Sequence, residues 1–301
     1  LTANDSGVAF STPPGLEESS QSSSYLAPED LEMINFNPLY SFPFPELGTI
    51  STSQLNFCVS KLKNCVSSLV LENRTLFMHP KILNIEIPEI YQDALSVCSL
   101  YMHKTTQNTG AVFQVLDSKV NYLVTASTFL PCDILSNLFA LQALLIYQII
   151  RVFDGDPRQR AYAERDFDLL DSWTLRLHAN YFEAEQASAH LRNHPRWIVL
   201  ESIRRTVMVS VLLRDLYGAM KDNVLTLVPL ISQLPVSTNN GLWKRTEDSE
   251  TEDEAVSEVI FTYGEFTQKW NEGCVTGIDD YGKTLLVACR HANGTRHFRE
   301  E

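Results

Sequence analysis

The stretch WIVLESIRRTVMVSVLLRDLY, residues 197–217, is a long and largely apolar helix candidate, yet it carries Glu201, Arg204, Arg205 and Arg214. On a helix Glu201 reaches Arg204 at i+3 and Arg205 at i+4, so part of this charge is met locally. Two adjacent arginines nevertheless point about 100° apart. A buried Arg left unpaired costs several kcal/mol, so an inward-facing one must meet a carboxylate or main-chain carbonyls. The spacing therefore predicts that at least one of the two clamps a distant segment. The best candidate is LPVSTNNGLW (234–243), whose turn-rich backbone offers free carbonyls and ends on a tryptophan. Glu201, Arg204, Arg205 and Trp243 are the expected clasp.

Working outward, the same helical period runs through most of the chain. Ser51-Thr-Ser-Gln54 has the form of a capping box, and Leu55, Val59, Leu62, Val66 and Leu69 follow at spacings of three and four. This predicts a helix over about 52–72. Pro88 opens a second run through Tyr91, Leu95, Cys98 and Met102, and a third covers 110–127. A fourth, ILSNLFALQALLIYQIIRVF, follows Pro131-Cys-Asp133. Ser136, Asn137, Gln142 and Gln148 interrupt it before about 20 apolar residues accumulate, so it reads as a buried central helix and not a membrane span. Asp156 and Pro157 are placed as N-cap and first-turn residue of a charged surface helix continuing to about residue 186. Pro195 begins the opening stretch, and two further helices are expected near 262–271 and 279–290. No segment alternates with period two. The fold class is all-α: a multi-helix orthogonal or bundle-like domain over 48–301. Residues 1–47 form a linker or strap, largely disordered at 1–24, where Ser, Gly, Pro and acids leave too little apolar surface to offset the entropy of ordering.

Composition narrows the function classes. With 37 acidic against 24 basic residues the net charge is −13, which opposes direct binding of a polyanion by this segment. The chain begins at Leu1 without a charged-then-apolar leader, and is read as a fragment with no sign of secretion. Its six cysteines (Cys58, Cys65, Cys98, Cys132, Cys274 and Cys289) have no C-x-x-C pair, so they read as core residues in a reducing compartment and not as zinc ligands. His190 and His194 share a helical face, but the Glu of a zinc protease is missing between them and Pro195 follows. Asp166, Asp168, Asp171, Glu183 and Glu185 read as solvated acids. Nucleophile elbow, P-loop and dinucleotide fingerprint are all missing, and no reaction is named. In the acidic run 247–258, Ser249 and Thr251 each have an acid three residues on, a spacing that suits phosphorylation by an acidophilic kinase.

Five motifs in order carry a resemblance: TLFMHPKIL (75–83), PEIYQDA (88–94), WIVLESIRRTV followed by an apolar run and Leu-Tyr, LPVS followed by Leu242-Trp243, and the closing EFTQKW and YGKTLLVAC segments. Together, over about 48–290, the chain resembles the regulatory domain of fungal binuclear zinc-cluster transcription factors. The resemblance implies an all-helical, nuclear, non-enzymatic module that controls RNA polymerase II transcription. It implies zinc and DNA contact only through a cluster upstream of Leu1, or a cluster lost from the parent, because this chain has no run of six close cysteines among basic residues. No cofactor is expected in the chain itself. A homodimer, a co-regulator and a small apolar ligand are the implied partners, and secondary metabolism the implied setting. The rival expectation is a domain of this lineage without a DNA-binding part, recruited as a natural-product biosynthetic enzyme through an apolar inter-helical cavity.

Overall fold

The Ser51 hydroxyl accepts the Gln54 amide at 3.3 Å while the Ser51 amide donates to Gln54 Oε1 at 3.0 Å, and this reciprocal cap starts the first long helix. A computed structural model describes residues 48–83, 87–127, 133–187, 194–244, 259–275 and 277–288. The expected linker or strap at 1–47 lies outside them. A two-residue strand β1 (Gly48–Thr49) precedes helix α1 (Thr52–Glu72) and a 3₁₀ turn (Pro80–Ile82). Helices α2 (Glu89–Met102), α3 (Thr109–Ser127), α4 (Ile134–Phe153), α5 (Pro157–Arg165), α6 (Phe167–Ala187) and α7 (His194–Asp222) follow. Then come β2 (Val224–Leu225), α8 (Val228–Gln233), β3 (Pro235–Ser237), α9 (Asn240–Lys244), β4 (Ile260–Thr262), α10 (Tyr263–Asn271) and α11 (Asp280–Ala288). The fold is all-α.

Two expectations are corrected. The four short strands form two antiparallel pairs, with Gly48 opposite Leu225 and Val236 opposite Phe261. Two or three residues are too few for an alternating pattern to show in sequence. The segment read as a loop at 234–243 thus contains β3 and α9. The single surface helix expected after Pro157 is broken at Asp166, and its second half is not a surface helix. Leu170, Trp173, Leu177 and Tyr181 of α6 are buried, and α6 packs on α4 and α7. Two of the acids read as solvated face basic partners: Asp166 Oδ2 accepts from Arg151 at 2.8 Å, and Asp171 Oδ1 accepts from Arg214 at 3.1 Å. Asp168 and Glu183 are exposed as expected.

Helix α4 occupies the centre, in contact with α1, α2, α3, α5, α6 and α7. It is the one described helix long and apolar enough to cross a membrane, and 78% of its apolar window is buried inside the protein. Two of its buried side-chain amides find main-chain acceptors: Gln142 Nε2 donates to the Phe77 carbonyl at 2.9 Å, and Gln148 Nε2 to the Ala163 carbonyl at 3.2 Å. Arg151, 1% exposed, reaches Asp117 at 2.7 Å on one guanidinium nitrogen and Asp166 on the other. Helix α7 is almost as deeply buried and is tied to the chain that follows it, because Asp215 Oδ1 accepts the amides of Thr226 and Leu227. That chain forms β2 and α8, so the acid sets where the polypeptide turns back.

Candidate functional site: a cationic clasp at the Trp243 helix

Glu201, Arg204 and Arg205 sit on the buried face of α7, each no more than 3% exposed. One carboxylate serves two guanidiniums: Glu201 Oε2 accepts from Arg204 Nε at 2.9 Å, and Oε1 from Arg205 Nε at 2.7 Å. Arg204 continues outward to the Tyr181 hydroxyl at 3.1 Å. Arg205 turns the other way, where its Nη1 meets Asp279 Oδ2 at 2.8 Å. Two arginines and two carboxylates therefore balance in a buried setting, the condition under which buried charge is tolerated. Burial opposes the charge on Arg205, but Glu201 and Asp279 together hold its guanidinium above the usual arginine range.

The distant segment is held by a different contact from the one expected. Arg205 stacks between two rings, with its Cζ 4.1 Å from the Trp243 ring centre and 4.3 Å from that of Tyr281. Its closest main-chain acceptor is Leu76, at 3.4 Å, and not a carbonyl of 234–243. The carbonyls of α9 are taken by other side chains. The Trp243 carbonyl accepts from Arg74 Nη1 and from His79 Nε2, each at 3.1 Å, and the Leu242 carbonyl from His194 Nε2 at 3.1 Å. Donors and a cation at a helix C-terminus satisfy carbonyls that have no partner within the helix.

His79 is fixed in one form by its neighbours. Its Nδ1 accepts the Lys81 amide at 3.2 Å, which leaves the proton on Nε2 to donate to Trp243. Burial, with the nearby Arg74 charge, pushes its pKa down to about 3, so the ring is neutral at physiological pH. Its edge also meets the Trp243 ring at 4.9 Å between centres.

Beside the clasp is a partly open cleft of about 390 Å³, bordered by α1, by the chain through Arg74, Thr75 and Leu76, and by Arg205, Trp243, Asp279 and Tyr281. Burial pushes the Cys65 thiol at its edge up to about 12, which makes it a poor nucleophile. Among the described residues no group of three or more His, Cys, Asp or Glu could hold a metal. His190, Cys132, Cys289, Ser249 and Thr251 lie outside the described residues.

The four clasp residues named from sequence are thus brought together, and four more were missed: Arg74, His79, Asp279 and Tyr281. His79 and Tyr281 stand inside motifs quoted for the family resemblance, which was a usable signal. Asp279 carried none.

Among known proteins the chain is similar to Transcription factor gsfR2 of Penicillium aethiopicum, with 34% identity over 183 residues. The match takes in 58% of this chain and 44% of that protein, so it spans less than half of the relative's length. No protein-family model matches the chain. No solved structure matches it.

Proposed function

We propose that this chain is a transcriptional regulator, and more narrowly that residues 48–301 are the regulatory domain of a fungal zinc-cluster transcription factor. The carrying observation is the 34% identity to a protein named as a transcription factor. In this reading the domain works in the nucleus on RNA polymerase II transcription. DNA contact and zinc belong to a cluster N-terminal to the helices, and a homodimer and a co-regulator are its partners. The geometry is of the right kind, since the clasp is a charge-compensated fastening in which each Glu201 oxygen already has a cation. The rival reading, a biosynthetic enzyme, called for an apolar cavity. The cleft beside the clasp is bordered largely by charged and polar groups, which favours regulation.

The test joins residues 48–301 to a heterologous DNA-binding domain and measures a reporter in fungal cells. Output that departs from the DNA-binding domain alone supports the reading, and output that matches it sinks it. The zinc-cluster part is tested separately by the reading frame upstream of Leu1, where six closely spaced cysteines among basic residues are expected.

A further inference from the structure

Two buried donors at the clasp have no hydrogen-bond partner among the described residues: Arg205 Nη2 and the Tyr281 hydroxyl. Leaving a buried donor unmet is costly, so two beside one cleft ask for an explanation. Both residues line the cleft described above. Burial keeps the Tyr281 phenol protonated and therefore a donor at neutral pH.

The chemistry of an occupant follows from the lining. Three cations (Lys61, Arg74, Arg205) face three carboxylates (Glu72, Asp279, Asp280), so the cleft has no excess of either sign. An anionic ligand at Arg205 would meet Asp279, which already holds Nη1 of the same guanidinium. A cationic ligand would find only donors at Arg205 Nη2 and the Tyr281 hydroxyl. What fits two donors in a balanced field is a neutral acceptor. A volume of about 390 Å³ is at the small end of the range for small-molecule sites.

We propose that this cleft binds a neutral small molecule through a carbonyl oxygen, as in a ketone, amide or lactone, which accepts hydrogen bonds from Arg205 Nη2 and the Tyr281 hydroxyl. Both donor atoms are screened from bulk water. Reaching them requires side chains that line the cleft to move aside. The proposal does not rest on the transcriptional reading, because it concerns binding by the purified chain alone.

The experiment is a ligand-observed NMR titration with three probes of one shape: benzamide, benzoate and benzylamine. Benzamide is expected to bind saturably, with the two charged probes about tenfold weaker or more. Tyr281→Phe removes only the hydroxyl and is expected to weaken benzamide about fivefold to tenfold. Because that hydroxyl has no partner among the described residues, the same variant should melt no lower than the parent, whereas a merely structural hydroxyl would lower the melting temperature and leave binding unchanged. The proposal is overturned by benzoate binding as tightly as benzamide, by undiminished benzamide binding in Tyr281→Phe, or by no saturation with benzamide.

Discussion

Arg205 shows how far single residues can be read. That a charge on an apolar helix needs a distant partner follows from the cost of burying it, and the structure supplies Asp279 and two aromatic faces. Of these partners Trp243 was named from the sequence, whereas Asp279 carried no signal, and the Arg74 and His79 bonds to the Trp243 carbonyl span 169 and 164 residues. Arg205→Ala leaves Asp279 and half of Glu201 without a cation, and is expected to cost about 3–5 kcal/mol in urea denaturation. Arg205→Lys should recover little, since an ammonium can neither stack between the rings nor fork between two carboxylates. His79 gives a pH test. Its folded pKa of about 3 lies below the ordinary value of 6.5, so its contribution is complete above about pH 6.5 and is lost as pH falls toward 3. Denaturation midpoints at pH 7, 5.5 and 4.5 should therefore decline, and His79→Gln, which keeps a donor for Trp243, should flatten the decline. Some slope will remain, because burial also pushes His178 down, to about 4.

Among the elements, the helices whose first turns carry their own instructions were the ones placed well. Ser51, Asp133 and Asp156 each accept an amide of the helix they begin, a bond between neighbours in sequence. Ser51→Ala is expected to lower stability by about 1 kcal/mol, a shift of roughly 2–4 °C in melting temperature for a domain of this size. The break between α5 and α6 was missed because nothing beside it in sequence marks it, and the Asp166 carboxylate that sits there pairs with Arg151, a residue of α4. Asp166→Asn should destabilise by more than the loss of a surface ion pair, because Arg151 is then left with Asp117 alone among its described carboxylates. β3 and β4 escaped notice for the same kind of reason. Each is three residues long and exists only against the other.

At the scale of the whole molecule, the all-helical class was legible from periodicity alone, whereas the arrangement depends on which faces meet. Helices α1 and α11 show this best. Lys61 pairs with Asp280 at 3.0 Å, Gln54 Nε2 donates to the Val287 carbonyl at 3.0 Å, and Cys58 lies against the Thr284 carbonyl. Deleting residues 259–301 removes α10, α11 and β4, uncovers one side of α1 and takes the partner from β3. A truncated chain of this kind is expected to lose its sharp thermal transition in circular dichroism. During synthesis the same pairing imposes a wait. Some 230 residues separate Gln54 from Val287, and at about 5–20 residues per second the ribosome needs on the order of tens of seconds to supply the second once the first has emerged. Through that interval Leu62 and its neighbours have a flank open, so the nascent polypeptide is a natural client for chaperones until α11 arrives.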